Sequence, residues 1–212
     1  MKNPPDLAKP SPHEGVSSGM TAAAAFLERD AELMLRVREG DDVSFGLLLE
    51  RHRRPVICFL YRMVRNQAVA EELAQEVFLR VYRARASYEP AAKFTTWLFR
   101  IATHLAINWS RDRKIDKMQD SLDQPQPAGQ AVQLPDKAMT KEQEMLHRVR
   151  MAEVRAAIEE LPAKQRAAVL MHKYQGLGYS QIAKAFNCSE SAVKSLLFRA
   201  YEGLRARLAH MV

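Results

Sequence analysis

Apolar residues in this chain recur every three or four positions, and nowhere do they alternate strictly with polar ones over five or more residues. A half-buried strand needs that alternation, and a helix needs the longer period. The pattern therefore predicts an all-α protein. Leu33 and Val37 mark one helix, which breaks at Gly40-Asp41-Asp42, and Phe45, Leu48 and Leu49 open another. Pro55 is expected to start a third, because proline suits a first turn; it would bury Val56, Phe59, Leu60 and Met63. Ala70 to Arg83 reads as a strong helix with Leu73, Val77 and Val81 on one side. Glu71 and Glu72 fall in its expected first turn and Arg80 and Arg83 in its last, which suits the macrodipole. Ser87 to Ala92, containing Pro90, interrupts the pattern. Thr95 to about Arg113 follows as a long helix with Trp97, Leu98, Ile101, Leu105 and Trp109 along one side.

Two stretches lack this period. Residues 1–27 hold Pro4, Pro5, Pro10 and Pro12 and read as a disordered tail, with Met20 as an alternative start. Residues 116–140 include Gln124-Pro125-Gln126-Pro127-Ala128-Gly129-Gln130, a composition that buries no core and reads as a flexible linker. The 212 residues thus divide into two small helical domains, 28–115 and 141–212. In the second, Lys141 to Glu160 forms a helix ended by Leu161-Pro162. A shorter helix, Lys164 to Tyr174, stops before Gly176 and Gly178.

Charge follows the same division. The net charge of +7 separates into 0 over residues 1–29, +4 over 30–115, −3 over 116–146 and +6 over 147–212. Two basic blocks flanking an acidic spacer suit a polyanion partner, although a solvated helical surface has the same composition. Cys58 and Cys188 give neither a disulfide framework nor zinc spacing. The six histidines, at 13, 52, 104, 147, 172 and 210, form no ligand pair, so no metal and no cofactor are expected. No glycine-rich phosphate loop or nucleophile motif is present, and no enzyme is expected. No apolar run is long enough to cross a membrane, and the start is not a secretory signal; a cytoplasmic protein without membrane insertion is expected.

The sharpest local pattern is Tyr179 to Ser195. Ala183 is small enough for two helices to cross, Asn187 tolerates a left-handed turn, and Ser189 suits an N-cap. Ile182, Phe186 and Val193 supply a shared core. These are the parts of a helix-turn-helix. On the last helix Val193, Leu197, Ala200 and Leu204 share one arc, and Ser191, Lys194, Ser195, Phe198 and Arg199 lie opposite. Basic and hydroxyl residues there suit phosphate contact and major-groove reading, and Phe198 suits a thymine methyl.

Three stretches of the first block add to this: Ala70-Glu71-Glu72-Leu73-Ala74-Gln75-Glu76-Val77-Phe78, the loop Ser87 to Phe94, and Phe94-Thr95-Thr96-Trp97-Leu98-Phe99-Arg100-Ile101-Ala102. With the helix-turn-helix, in this order, they resemble the extracytoplasmic-function (group IV, RpoE-like) RNA polymerase sigma factors of the sigma-70 family. The resemblance covers nearly the whole chain outside the head and linker. It implies that the first block is sigma region 2, which binds core RNA polymerase and the −10 element, and the second is region 4, which reads the −35 duplex. Glu72, Gln75 and Glu76 match positions that meet the polymerase β′ subunit; the β subunit is implied as a further contact. Tyr88 and Lys93 match the loop that captures a flipped −10 base, where a ring and a phosphate contact serve the chemistry. Arg100, His104, Asn108, Arg111 and Arg113 match the face that holds the melted single strand; Trp97 shares the core stripe, and Trp109 fits either role. An anti-sigma factor is implied as a further partner. The sequence departs from the family pattern at His104 and Asn108, and at Leu196 and Tyr201, where basic residues are usual. The alternative reading is an ordinary helix-turn-helix regulator with an all-α N-terminal domain.

Overall fold

The computed structural model describes residues 29–119 and 141–211, apart from the side chains of 114–119 and Glu142. The proline-rich head, the Gln124–Gln130 stretch and Met20 lie outside them. The described residues form eight α-helices and no strand. Helix α1 covers 29–38. Helices α2 (Asp42–Val64), α3 (Gln67–Arg83) and α4 (Phe94–Gln119) complete the first block. Helices α5 (Lys141–Glu159), α6 (Ala163–Tyr174), α7 (Tyr179–Phe186) and α8 (Glu190–Arg207) form the second.

The break between α1 and α2 falls where the sequence places it. Gly40 takes φ +98°, and Asp41 caps α2 by accepting from the Val43 and Ser44 amides. Pro55 does not begin a helix. It lies inside α2, which runs unbroken for 23 residues. The missing proline N–H leaves the carbonyl four residues earlier without its helical bond, at a cost of roughly 3 kcal/mol. The continuous buried stripe Leu48, His52, Val56, Phe59, Leu60 and Met63 outweighs that cost. Helix α3 starts earlier than its apolar period suggests. Asn66 caps it by accepting from the Val69 amide, so Glu71 and Glu72 sit in the second turn rather than the first.

Helix α4 is the axis of the first block, in contact with α2 and α3. Phe94, Leu98, Phe99, Ala102, Leu105 and Ala106 are its buried apolar residues, whereas Trp97, Ile101 and Trp109 are half-buried at the edge of the stripe. The Phe99 ring meets Phe59 edge-on at 5.3 Å.

The helix-turn-helix forms as its residues dictate. Asn187 ends α7 in the left-handed region at φ 52°, and the Ser189 hydroxyl caps α8 by accepting from the Ala192 amide. Ile182, Ala183, Val193, Leu197 and Ala200 are buried between the helices.

The two blocks also touch, which no local pattern announces. Helix α7 packs on α4, and α6 packs on α2 and α4. Gln181 Nε2 donates to Thr96 Oγ1 at 3.3 Å. Arg65 pairs with Glu159 at 2.8 Å, and the Arg62 guanidinium lies 4.2 Å from the centre of the Tyr174 ring. Arg166 ties the seam together: its guanidinium donates to the carbonyls of Met63 (2.8 Å), Leu161 (3.3 Å) and Glu159. Burial pulls the Arg166 pKa below its ordinary value, while Glu159 acts the other way. The acceptors are carbonyls at the ends of α2 and α5, which no further helical turn can satisfy. Arg166→Met should therefore destabilise the protein by roughly 2 kcal/mol. Urea unfolding checks this, and Arg166→Lys should recover less than half of the loss because an ammonium cannot span the same fork of carbonyls.

Candidate nucleic-acid interface

Three exposed faces carry the residues singled out in the sequence. The first is on α3. Glu72 and Gln75 are exposed and Glu76 is half-buried; their spacing of three and four places them on one side of the helix. Arg80 Nε donates to Glu76 at 2.6 Å, and this bond holds the Glu76 carboxyl below the usual range against the opposing effect of desolvation. Glu76 therefore has an internal partner that an incoming basic group must replace. Leu79, 49% exposed, extends the face by one turn. Leu79 is not among the residues singled out in the sequence; it falls outside the Leu73, Val77 and Val81 stripe, and its outward position distinguishes it.

The second face is the outer side of α4. Arg100, His104, Asn108 and Arg111 are all exposed, and 100° steps place them within one arc of about 80°. Arg111 Nε lies 3.2 Å from the exposed Asp112 carboxylate. Arg113 is not on this arc. It is half-buried, and its guanidinium lies 5.2 Å from the centre of the Trp109 ring. That stacking gives Trp109 a local role as the platform for Arg113.

Tyr88 is also placed differently from the sequence expectation. Its side chain is only 4% exposed, packed against Trp97 (ring centres 5.1 Å) and Phe94 (6.3 Å). Burial, and secondarily the charge of Asp30, push its phenol pKa up, and the hydroxyl has no hydrogen-bond partner among the described residues. A ring enclosed by two others offers no free face to a base. In this conformation Tyr88 anchors the loop from beneath, whereas Lys93, on the same loop, is exposed.

The third face is on α8. Ser191, Lys194, Ser195, Phe198 and Arg199 are exposed, while Val193, Leu197 and Ala200 are buried behind them. Phe198 is 66% exposed, an apolar ring standing among polar neighbours. Arg199 Nε donates to the Ser195 carbonyl at 3.3 Å. Leu196 and Tyr201, which occupy positions where basic residues were expected, are half-buried against the core. Among the described residues no group of His, Cys, Asp and Glu is placed to hold a metal, and no helix is long and apolar enough to cross a membrane.

Comparison with known proteins finds relatives for both blocks. Residues 48–115 match the model of Sigma-70 region 2, and residues 151–204 match Sigma-70, region 4. The chain is 33% identical to the RNA polymerase sigma factor CarQ of Myxococcus xanthus, over 84% of this chain and 97% of that one. It is 30% identical to the ECF RNA polymerase sigma-E factor of Escherichia coli K12, over 86% and 96%. Among solved structures, CnrH in complex with the cytosolic domain of CnrY aligns with a TM-score of 0.62 at 19% identity, covering 86% of this chain and 98% of that one. The sigma factor RpoE of Bartonella quintana, in complex with the anti-sigma factor NepR, aligns at 0.60 and 20% identity, covering 78% and 96%. Nothing in these matches supports a free-standing helix-turn-helix regulator. With both sigma modules in order on one all-α chain, the protein belongs to the sigma-70 family as an extracytoplasmic-function sigma factor, an alternative sigma factor that directs transcription initiation.

Proposed function

We propose a division of that activity among the three faces. Glu72, Gln75 and Glu76 on α3 meet a basic helical surface of core polymerase. The outer side of α4, with Lys93 beside it, holds the melted −10 strand. The outer side of α8 reads the −35 duplex. The observation that carries this reading is the exposure of Arg100, His104, Asn108 and Arg111 on α4 and of Ser191, Lys194, Ser195, Phe198 and Arg199 on α8 while the opposite side of each helix is buried. Guanidinium, ammonium and imidazole groups suit a phosphate backbone, and Phe198 suits apolar contact with a base edge. Melting then comes from binding single-stranded DNA better than duplex, with no nucleotide hydrolysis. The chemistry of RNA synthesis stays with the polymerase, and this chain is not itself an enzyme.

The reading also gives the protein a cytoplasmic location and a protein inhibitor. One similar solved structure is of a sigma factor in complex with an anti-sigma factor, which supports an anti-sigma partner for this chain.

Run-off transcription with cognate core polymerase tests the whole scheme, and absence of promoter-specific transcripts would reject it. Within it, Glu72→Lys and Glu76→Lys should each lower core affinity at least about tenfold, or ~1.4 kcal/mol. Glu76→Lys should cost more, because it also leaves Arg80 as an unpaired cation on the same side of α3, repelling a basic partner. Unchanged binding of both variants in a fluorescence titration would remove the α3 assignment.

Tyr88 separates two roles. Its hydroxyl is buried without a partner among the described residues, so Tyr88→Phe should leave promoter opening within about twofold and stability equal or slightly higher. Tyr88→Ala should cost roughly 3–5 kcal/mol of stability by emptying the aromatic cluster. Permanganate footprinting and thermal unfolding read the two effects.

Reaching both promoter elements sets a geometric demand. Two turns of duplex span roughly 70 Å, so the α4–α7 seam opens when both are engaged. Fluorophores on the exposed positions Glu71 and Ala206 should move apart when core polymerase and promoter are added. An unchanged transfer efficiency would remove this step.

A further inference from the structure

We propose that Asp30, Arg51 and His52 form a buried ionic brace that positions the α3–α4 loop, making them positioning residues for −10 recognition. The inference rests on the role given above to that loop. Asp30 lies outside the segment matching Sigma-70 region 2, which begins at residue 48.

The Asp30 carboxylate is fully buried. One oxygen accepts from Arg51, and the other accepts from His52 Nε2 at 2.9 Å. An ionised carboxylate only accepts, so Nε2 carries the proton of that bond. Arg51 and His52 are neighbours on α2 and project about 100° apart, so they grip the carboxylate from two directions. An apolar contact would hold α1 against α2 as firmly but would not fix its rotation, because hydrophobic attraction has no direction. A buried ion pair costs desolvation and gains geometry. Here the geometry it fixes is that of α1.

Helix α1 in turn holds the loop. Arg38, about 12 Å further along α1, donates from Nη1 to the Tyr88 carbonyl at 3.3 Å. A second route runs through His52, whose ring lies 5.4 Å from that of Phe94. Phe94 packs on Trp97 at 6.1 Å, and Tyr88 packs on both. The loop therefore has one end, Tyr88, held through Arg38 and the other, Phe94, held through His52. Between them Glu89, Pro90, Ala91 and Lys93 are exposed. Rotation or sliding of α1 would shift both anchors and re-aim the exposed residues. The charge of Asp30 reaches this cluster directly, since it contributes to the rise in the Tyr88 pKa.

The test uses the full chain with core polymerase, on a promoter carrying 2-aminopurine at the flipped −10 position. Asp30→Asn and His52→Leu should slow the fluorescence rise about tenfold or more and flatten the preference for the −10 base. Core affinity and −35 duplex binding should stay within about twofold. His52→Gln retains an amide donor for Asp30 and should recover part of the rate. If Asp30→Asn does not fold, the two His52 variants carry the test. Wild-type opening and base preference in these variants would overturn the proposal. So would a loss of core binding in step with opening, which would mean general support of the fold. The double variant Glu89→Ala/Lys93→Ala tests the loop's own role: if it opens the promoter with wild-type base preference, the −10 role of the loop fails and the inference falls with it. If it is impaired while Asp30→Asn and His52→Leu are not, the loop's role stands and the brace alone is rejected.

Discussion

Helix α4 is constrained on two sides, and much of the molecule follows from that. Its apolar stripe is claimed by α2 and α3, and the helix also meets α6 and α7 of the second block, with Thr96 in its first turn bonded to Gln181. Thr96 is buried at that second contact, and Thr103 and Ser110 satisfy their hydroxyls on carbonyls of their own helix at 2.7 and 2.8 Å. What remains exposed to solvent is a narrow polar strip, Arg100, His104, Asn108 and Arg111, with Asp112 beside it. Full burial of each large apolar side chain contributes roughly 1.5–3 kcal/mol. No substitution on the polar strip has comparable leverage over where the helix sits. The strip proposed to face DNA is in this sense the complement of the packing, and a change that re-registers the stripe moves every residue of the strip with it.

The seam between the blocks has a mixed character suited to being broken. Alongside apolar contact it uses Arg166 on carbonyl oxygens, Arg65 on Glu159, Arg62 over Tyr174 and Gln181 on Thr96. Water can replace hydrogen bonds of this kind when the seam opens, at a net loss near 1 kcal/mol apiece. An all-leucine seam would resist opening in proportion to its area. Interfaces between domains of one chain are commonly of this more polar sort, and relative motion is then the ordinary expectation.

What the sequence makes legible is what local chemistry decides. Ala183, Asn187, Ser189 and Val193 lie within eleven residues, and each has a requirement that only its near neighbours satisfy, so the helix-turn-helix is readable from the string. Pro55 shows the opposite case: local preference pointed to a helix start, and burial along the whole of α2 overrode it. The candidate faces divide in the same way. The outer residues of α8 follow from the helical period. Tyr88 does not, because the rings that enclose it and the aspartate that influences it arrive from other parts of the chain. Arg113 was grouped with the strand-holding residues by resemblance, although its angle on α4 sends it to Trp109. Arg166 and Met63 are 103 positions apart, and no pattern in either segment names the other.

The two departures on α8 have a physical consequence for how the protein engages DNA. Leu196 and Tyr201 pack against the core where basic side chains would reach phosphate, so the helix gains packing and gives up charge. On the proposed reading, Lys194 and Arg199 then carry most of the cationic contact from this face, and Arg205 is engaged with Glu202. Each phosphate contact contributes to affinity through counterion release, so fewer contacts mean weaker and less salt-dependent binding by the second block alone. The polar strip of α4 is similarly sparse, with Arg111 beside Asp112. Two weak grips become one strong one when a third contact holds them at a fixed separation, because the second binding event is then intramolecular. On the same proposed reading, core polymerase docked on α3 would provide that separation. Promoter binding by this chain then depends on the assembly more than on either DNA-facing helix, and the sparse basic surface limits competing attachment to DNA in its absence.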